Sequence, residues 1–222
     1  MTDVQDFISH PRTFLRNNVL MVTAGTGGTG GEKTFKFSPV HSVIAKNMLV
    51  NGNPTMPVFS LSLLSGKEGD DVNAFWCPYS SSDALGTTLP GNGGPNMMFT
   101  YAMDGCTFVA GSVTSGNDVS VHHVNMTPQT RQNLDPSVAG QQQRMIQRNV
   151  AKGLVTNAKL IDPDDYYNPM TRKAVVPNNA KISTVTFGRR SSSGAWKFYT
   201  HQYYTVPGDR MTLRYIGCER FI

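Results

Sequence analysis

The residues in this sequence best placed for covalent chemistry are a cysteine and a histidine that fall on the two arms of one hairpin. Cys106 follows Gly105 and opens the apolar run 107–113; the turn 114–118 (TSGND) and the run 119–125 (VSVHHVN) come next, and His123 lies in that second run. Two such runs around a Gly/Asn/Asp turn predict a β-hairpin, which brings a thiol and an imidazole within reach when the register suits. An isolated thiol, with a pKa of about 8.5, holds only a few per cent thiolate near neutrality. An imidazole beside it takes the proton, and the imidazolium then stabilises the thiolate. The same two residues would also serve as a small buried hydrophobe and an unconnected strand histidine.

Other candidate sites fail on spacing. The glycine run 25–31 (GTGGTGG) leads to Lys33-Thr34, but Glu32 stands where a phosphate-binding loop needs its lysine, and a glutamate there repels phosphate. His122 and His123 are adjacent, so on a strand they point to opposite faces and cannot chelate together. His10, His41 and His201 sit in unrelated contexts, and no metal site or cofactor is expected. The three cysteines, Cys77, Cys106 and Cys218, are too few and too dispersed for a disulfide framework, and a reducing environment is the simpler reading. Cys77 and Cys218 are expected to be buried and structural.

These groups need a scaffold, and the rest of the sequence describes one. With 222 residues, 39% hydrophobic and 16% charged, the chain has enough apolar side chain for a sizeable core, and 21 Gly with 13 Pro make it turn-rich without reaching low complexity. The net charge of +5 comes from scattered basic residues, which lack the one-sided stripe of a nucleic-acid binder. No apolar stretch is long enough to span a membrane, and the N-terminus lacks a secretory signal, so residence in the cytosol or export by a route that reads no Sec-type signal is expected.

A weak helical pattern over residues 1–17 breaks at His10-Pro11. Strands are expected at 17–23, 33–38, 56–64, 74–76, 97–103, 182–187, 196–206 and 211–216, a long surface loop at 80–95, and a flexible hairpin loop at the glycine run. The clearest helix is 140–154, with Met145, Ile146 and Val150 as its apolar face, and Thr127-Pro128 has the character of a helix start. Without regular strand–helix alternation, one mixed and mostly β domain is expected.

The run Met98-Phe99-Thr100-Tyr101-Ala102-Met103-Asp104-Gly105-Cys106, then Phe108-Val109-Ala110-Gly111 and Val121-His122-His123, resembles the active-site region of the Burkholderia lethal factor-type protein-glutamine deamidase toxins. These are related to the catalytic domain of the cytotoxic necrotizing factors, whose nucleophile motif is Leu-Ser-Gly-Cys. Weaker echoes are Trp76-Cys77-Pro78-Tyr79, Tyr166 upstream of Ala174-Val175-Val176, and Ser192-Ser193-Gly194-Ala195-Trp196. The likeness is strong over residues 97–124 and covers most of the chain in order and length.

By this resemblance the fold is α+β: a single glutamine-deamidase-like domain over residues 1–222, with central mixed, sandwich-like β-sheets flanked by helices and long loops. Cys106 corresponds to the nucleophile, His123 to the general acid/base and Thr100 to the family's active-site threonine. Tyr166, with Tyr167 an equal candidate, falls on a tyrosine lining the site, and Asp104 and Gly105 fall where substrate is held. Met103-Asp104 replaces Leu-Ser, which places a carboxylate beside the thiol and would raise its pKa. The implied activity is hydrolysis of a glutamine side-chain amide in a host protein, a translation-initiation RNA helicase in the lethal factor itself. The implied protein is a monomeric toxin that is exported without a Sec-type signal and acts in the host cytosol, with no cofactor, no direct nucleic-acid contact and no membrane. Three other readings use the same residues or composition: an inactive relative that binds a host protein, a thiol protease or acyltransferase using the same Cys-His pair, and a basic RNA-binding module.

Overall fold

The structure, a computed structural model, describes residues 2–23, 28–63, 69–113, 117–126, 136–167, 176, 177, 180 and 182–221. The chain opens with two short helices, α1 (Asp3–Ser9) and α2 (Pro11–Asn17), separated at His10. Pro11 supplies no N–H and occupies the first turn of α2, where none is needed, so the sequence breaks one helix and starts the next at the expected place.

Among the described residues fourteen strands and two further helices follow. In chain order these are β1 (Val19–Thr23), β2 (Gly31–Pro39), β3 (Ile44–Asn47), β4 (Thr55–Met56), β5 (Val58–Ser62), β6 (Asp70–Cys77), β7 (Ala84–Leu89), β8 (Met97–Thr100), β9 (Thr107–Ser112), β10 (Val119–Val124), α3 (Pro136–Leu154), β11 (Thr156–Ile161), α4 (Pro163–Tyr167), β12 (Ile182–Arg190), β13 (Trp196–Val206) and β14 (Asp209–Arg220). They form a ten-stranded sheet in the order β1-β5-β2-β6-β8-β12-β13-β14-β3-β4 and a four-stranded sheet in the order β11-β9-β10-β7. The large sheet is mixed, with β1/β5, β6/β8 and β14/β3 parallel. The fold is thus mixed α/β, mostly strand, with few helices.

Alternation along the strands builds the layers. Val72, Ala74 and Trp76 of β6 and Met97 and Phe99 of β8 face one way and share a core with Phe7, Phe14 and Leu15 of the two N-terminal helices. The Phe7 ring stacks on Phe37 at 4.9 Å, and Phe37 stacks on Phe59 at 4.9 Å. The intervening residues Phe75, Cys77 and Met98 face the other way and meet Phe108, Ala110 and Val121 of the small sheet. The outer face of the small sheet, Val109 and Val124, packs on Ala151 of α3. The order is helices, large sheet, small sheet, helix.

Several elements differ from the sequence reading. The expected loop 80–95 contains β7, an edge strand paired with β10 from Val119↔Leu89 to Val124↔Ala84. Only Leu89 of β7 is buried, so the strand carries no hydrophobic alternation to betray it. The expected strand 56–64 divides at Pro57: β4 joins one edge of the large sheet and β5 lies near the other. β5 separates β1 from β2, so these two strands are not a hairpin pair, and residues 25–27 of the glycine run lie outside the described residues. In α3, Met145 is 59% exposed, and among the described side chains of the helix Gln147 and Ala151 are the buried ones. Gln147 belongs there because its Oε1 accepts from the Thr107 hydroxyl at 3.1 Å. Thr127-Pro128, residues 114–116 of the hairpin turn, Ala174-Val175 and the Tyr167 side chain lie outside the described residues. Among the described residues no helix is long and apolar enough to cross a membrane.

Candidate active site

The hairpin settles which of the two adjacent histidines can meet Cys106. In the β9–β10 register His123 lies opposite Phe108 and Val124 opposite Thr107. Cys106, two residues before Phe108, shares its face, so it is the diagonal cross-strand neighbour of His123, a position about 7–8 Å away between backbones and within side-chain reach. His122 points to the opposite face and lies over Gly86 of β7, where a Cβ would sit only 2.3 Å from its Nδ1. Its Nε2 pairs with the Ser120 hydroxyl at 3.0 Å.

The large sheet supplies the other wall. Parallel pairing of β6 with β8 sets Cys77 beside Thr100, and both belong to the face turned toward the small sheet. The Thr100 Oγ1 lies 2.7 Å from His123 Nδ1, a buried contact. With Nδ1–H donating to Oγ1, the Nε2 lone pair remains, and Nε2 is buried with no hydrogen-bond partner among the described residues. The Cys77 thiol sits against the Thr100 hydroxyl and near the Val121 carbonyl, at 3.8 Å. Its position beneath the histidine clamp was not expected from the sequence.

Cys106, Gly105 and Asp104 line a cleft of about 270 Å³, closed by Asn125 at the end of β10, by Gln143 and Arg144 of α3, and by Pro163. Gly105 has φ of +152°, and nothing lies within 4 Å of where its Cβ would be, so the requirement for glycine is conformational and not a matter of space. Arg144 pairs with Asp164 at 3.1 Å, while Arg148 binds Asp162 and, at 2.8 Å, Asp164, tying α3 to α4 along this wall. A larger cavity of about 520 Å³ is lined by Thr200, Gln202, Glu219 and neighbouring residues, with no cysteine or histidine among the described ones. Of the two, the smaller cleft is the one that holds a cysteine.

Tyr166 is placed differently from the expected lining residue. It is fully buried, and its hydroxyl donates to the Cys106 carbonyl at 2.7 Å, so it holds the Cys106 backbone from below. Tyr166→Phe should cost about 1–3 kcal/mol of stability, because the buried carbonyl loses this donor. A thermal melt of that variant checks the expectation, and an unchanged Tm would contradict it.

The charge states also differ from the expected thiolate–imidazolium pair. Burial, then the neighbouring Asp104 carboxylate, pushes Cys106 up to about 12, against which a hydrogen bond from the Asp104 backbone acts only in part. Burial brings His123 down to about 3. Both effects favour the neutral forms, so the resting pair is thiol and imidazole. Asp104 does raise the thiol, as its carboxylate suggested, but burial is the larger cause.

A second buried imidazole, His201 of β13, is likewise brought down to about 3 by burial and accepts the Leu20 N–H at 3.1 Å. An unfolded histidine titrates near pH 6.5. Above that value neither state holds the proton; below it, only the unfolded chain does, so stability falls as the pH drops. Each of the two histidines contributes up to about 1.4 kcal/mol per pH unit between roughly 6.5 and 3. Melting temperature should fall by roughly 5–10 °C per unit below pH 6, and a flat Tm from pH 7.5 to 5 would contradict the assignment.

Two residues without an assigned role complete the site. Tyr79 stacks on Tyr101 at 5.4 Å and tilts over the His123 ring at 4.9 Å. Its hydroxyl accepts from Asn125 Nδ2 at 3.1 Å. Tyr79 stood in a weak sequence echo and Asn125 at the end of the histidine run; only the meeting of two sheets joins them. Among the described residues no group of three or more His, Cys, Asp or Glu could hold a metal ion. No protein-family model matches the chain, and no curated protein matches it.

Proposed function

We propose that this chain is a protein-glutamine deamidase of the Burkholderia lethal factor type, one domain with the sandwich-like fold of the cytotoxic necrotizing factor catalytic domain, acting as an exported toxin on a host cytosolic protein. A translation-initiation RNA helicase is the target the likeness suggests. The observation that carries the reading is the Thr100–His123 clamp, which leaves Nε2 without a partner among the described residues, on the face that also carries Cys106.

In this reading His123 Nε2 takes the Cys106 proton as Sγ bonds to the glutamine Cδ, and the carbonyl electron pair moves onto oxygen. Because thiol and imidazole rest neutral, proton transfer accompanies attack. Backbone N–H groups of the Gly105–Cys106 turn are the donors assigned to the oxyanion. The oxyanion collapses, the C–N bond breaks, and the nitrogen leaves as ammonia carrying the proton from Nε2. Water then gives a proton to Nε2 and its oxygen to the thioester carbon. The C–S bond breaks, Sγ recovers the proton, and glutamate is released.

The test is peptide mapping of a eukaryotic cytosolic extract treated with the protein, reading ammonia release and conversion of a defined glutamine to glutamate. A second reading, a host-protein binding module without turnover, draws on the upward push that burial and Asp104 give the Cys106 thiol. An extract with no converted glutamine, and a Cys106 inert toward alkylation, would favour it.

A further inference from the structure

We propose that Asn125 is the group in the Cys106 cleft that distinguishes a primary carboxamide from a carboxylate, with Tyr79 as the positioning residue that orients its amide. The inference rests on the deamidase reading and adds to it the residue that separates substrate from product. Asn125 and Cys106 line the same cleft. Continuing the β9–β10 register past Val124↔Thr107 sets Asn125 across from Cys106, so the two residues face the cleft they both line.

The hydrogen-bonding inventory of Asn125 gives the selectivity. Nδ2 donates to the Tyr79 hydroxyl at 3.1 Å, and the Tyr79 ring is itself fixed between Tyr101 and His123. With the amide nitrogen held on that side, Oδ1 is the remaining polar atom, and no donor meets it among the described residues. An oxygen acceptor can receive an N–H from the –NH2 of a glutamine side chain. It can receive nothing from a carboxylate, which carries only acceptors and repels it. A site that offers a hydrogen bond to one ligand and faces the other with an unpaired polar group discriminates strongly between them. The exposed Asp104 carboxylate at the same cleft adds to the repulsion of the product. The device binds glutamine, expels glutamate, and leaves the attacking atoms to Cys106 and His123.

Propionamide and propionate reproduce the two side-chain ends and need no knowledge of the target protein. They are titrated to about 100 mM, a range suited to fragments of this size, into the isotope-labelled full chain, and backbone and Asn125 side-chain resonances are followed. Propionamide should shift resonances of Asp104, Gly105, Cys106 and Asn125, and propionate should bind at least about tenfold more weakly. In Asn125→Leu the preference should fall several-fold, to the part that repulsion from Asp104 sustains, and in Tyr79→Phe it should fall because the amide loses its anchor. Equal binding in the unaltered protein, no propionamide shift at the cleft, or an undiminished preference in Asn125→Leu would each overturn the assignment. Should Asn125→Leu fail to fold, Tyr79→Phe decides, and an undiminished preference there would overturn the proposal. Carboxamide preference without glutamine conversion in extract would leave this inference standing while the deamidase reading fell. Conversion with an Asn125→Leu that still prefers propionamide would do the reverse.

Discussion

Cys106→Ala is expected to abolish conversion of glutamine to glutamate in a eukaryotic cytosolic extract, with a fall of roughly 10⁴–10⁶-fold set by detection. A positioned acid/base without its nucleophile cannot form the thioester, and direct attack of water on an unactivated amide is far slower. The cavity left by one sulfur in a largely buried position is small, so the variant should fold, and a native circular dichroism spectrum is the control. Cys218→Ser is the matched comparison: Cys218 packs in the core shared with the N-terminal helices, on the other face of the large sheet, and should retain turnover. Conversion that persists in Cys106→Ala would remove the nucleophile assignment and with it the function. Cys106-dependent peptide cleavage without ammonia release would assign the same pair to a protease, and Cys106-dependent ammonia release with an amine incorporated in place of water would assign it to an acyltransferase.

The parts of the site legible in the sequence are those governed by local alternation. The apolar runs around a Gly/Asn/Asp turn specify β9 and β10, and a period of two separates His122 from His123 before any register is known. What places Thr100 on His123 is the packing of one sheet on another, which no periodicity within 97–125 encodes. The same holds for Cys77 beneath Thr100 and for Tyr79 against Asn125: each pair joins segments brought together only by sheet order. The β7 strand was hidden because an edge strand with one buried residue has no need of hydrophobic alternation. Charge state is hidden from the sequence for a related reason. Spacing argues for an ion pair, but burial by the second sheet decides that both groups are neutral.

His123→Ala should lower turnover by about 10²–10⁴-fold, the contribution of a positioned acid/base, and leave the thiol in place. The loss has two parts: no acceptor for the Cys106 proton during attack, and no donor for the leaving nitrogen. Thr100→Val separates orientation from proton transfer. It keeps the buried shape but removes the oxygen bound to Nδ1, so the imidazole is free to carry its proton on Nε2, the nitrogen that must be bare. Turnover should fall less than in His123→Ala, and mainly in kcat, since nothing that touches substrate has changed. The pH profile carries a further signature of the neutral pair. With His123 brought down to about 3 and Cys106 pushed up to about 12, neither group changes charge across the range in which the protein is folded and active. The kcat/KM of the free enzyme should therefore be flat from about pH 6 to 9, without the ascending limb near 6.5 that an ordinary histidine base would impose. A bell centred near neutrality would show that the working pair is the thiolate–imidazolium, formed from a conformation in which Cys106 and His123 are better hydrated than they are between the two sheets.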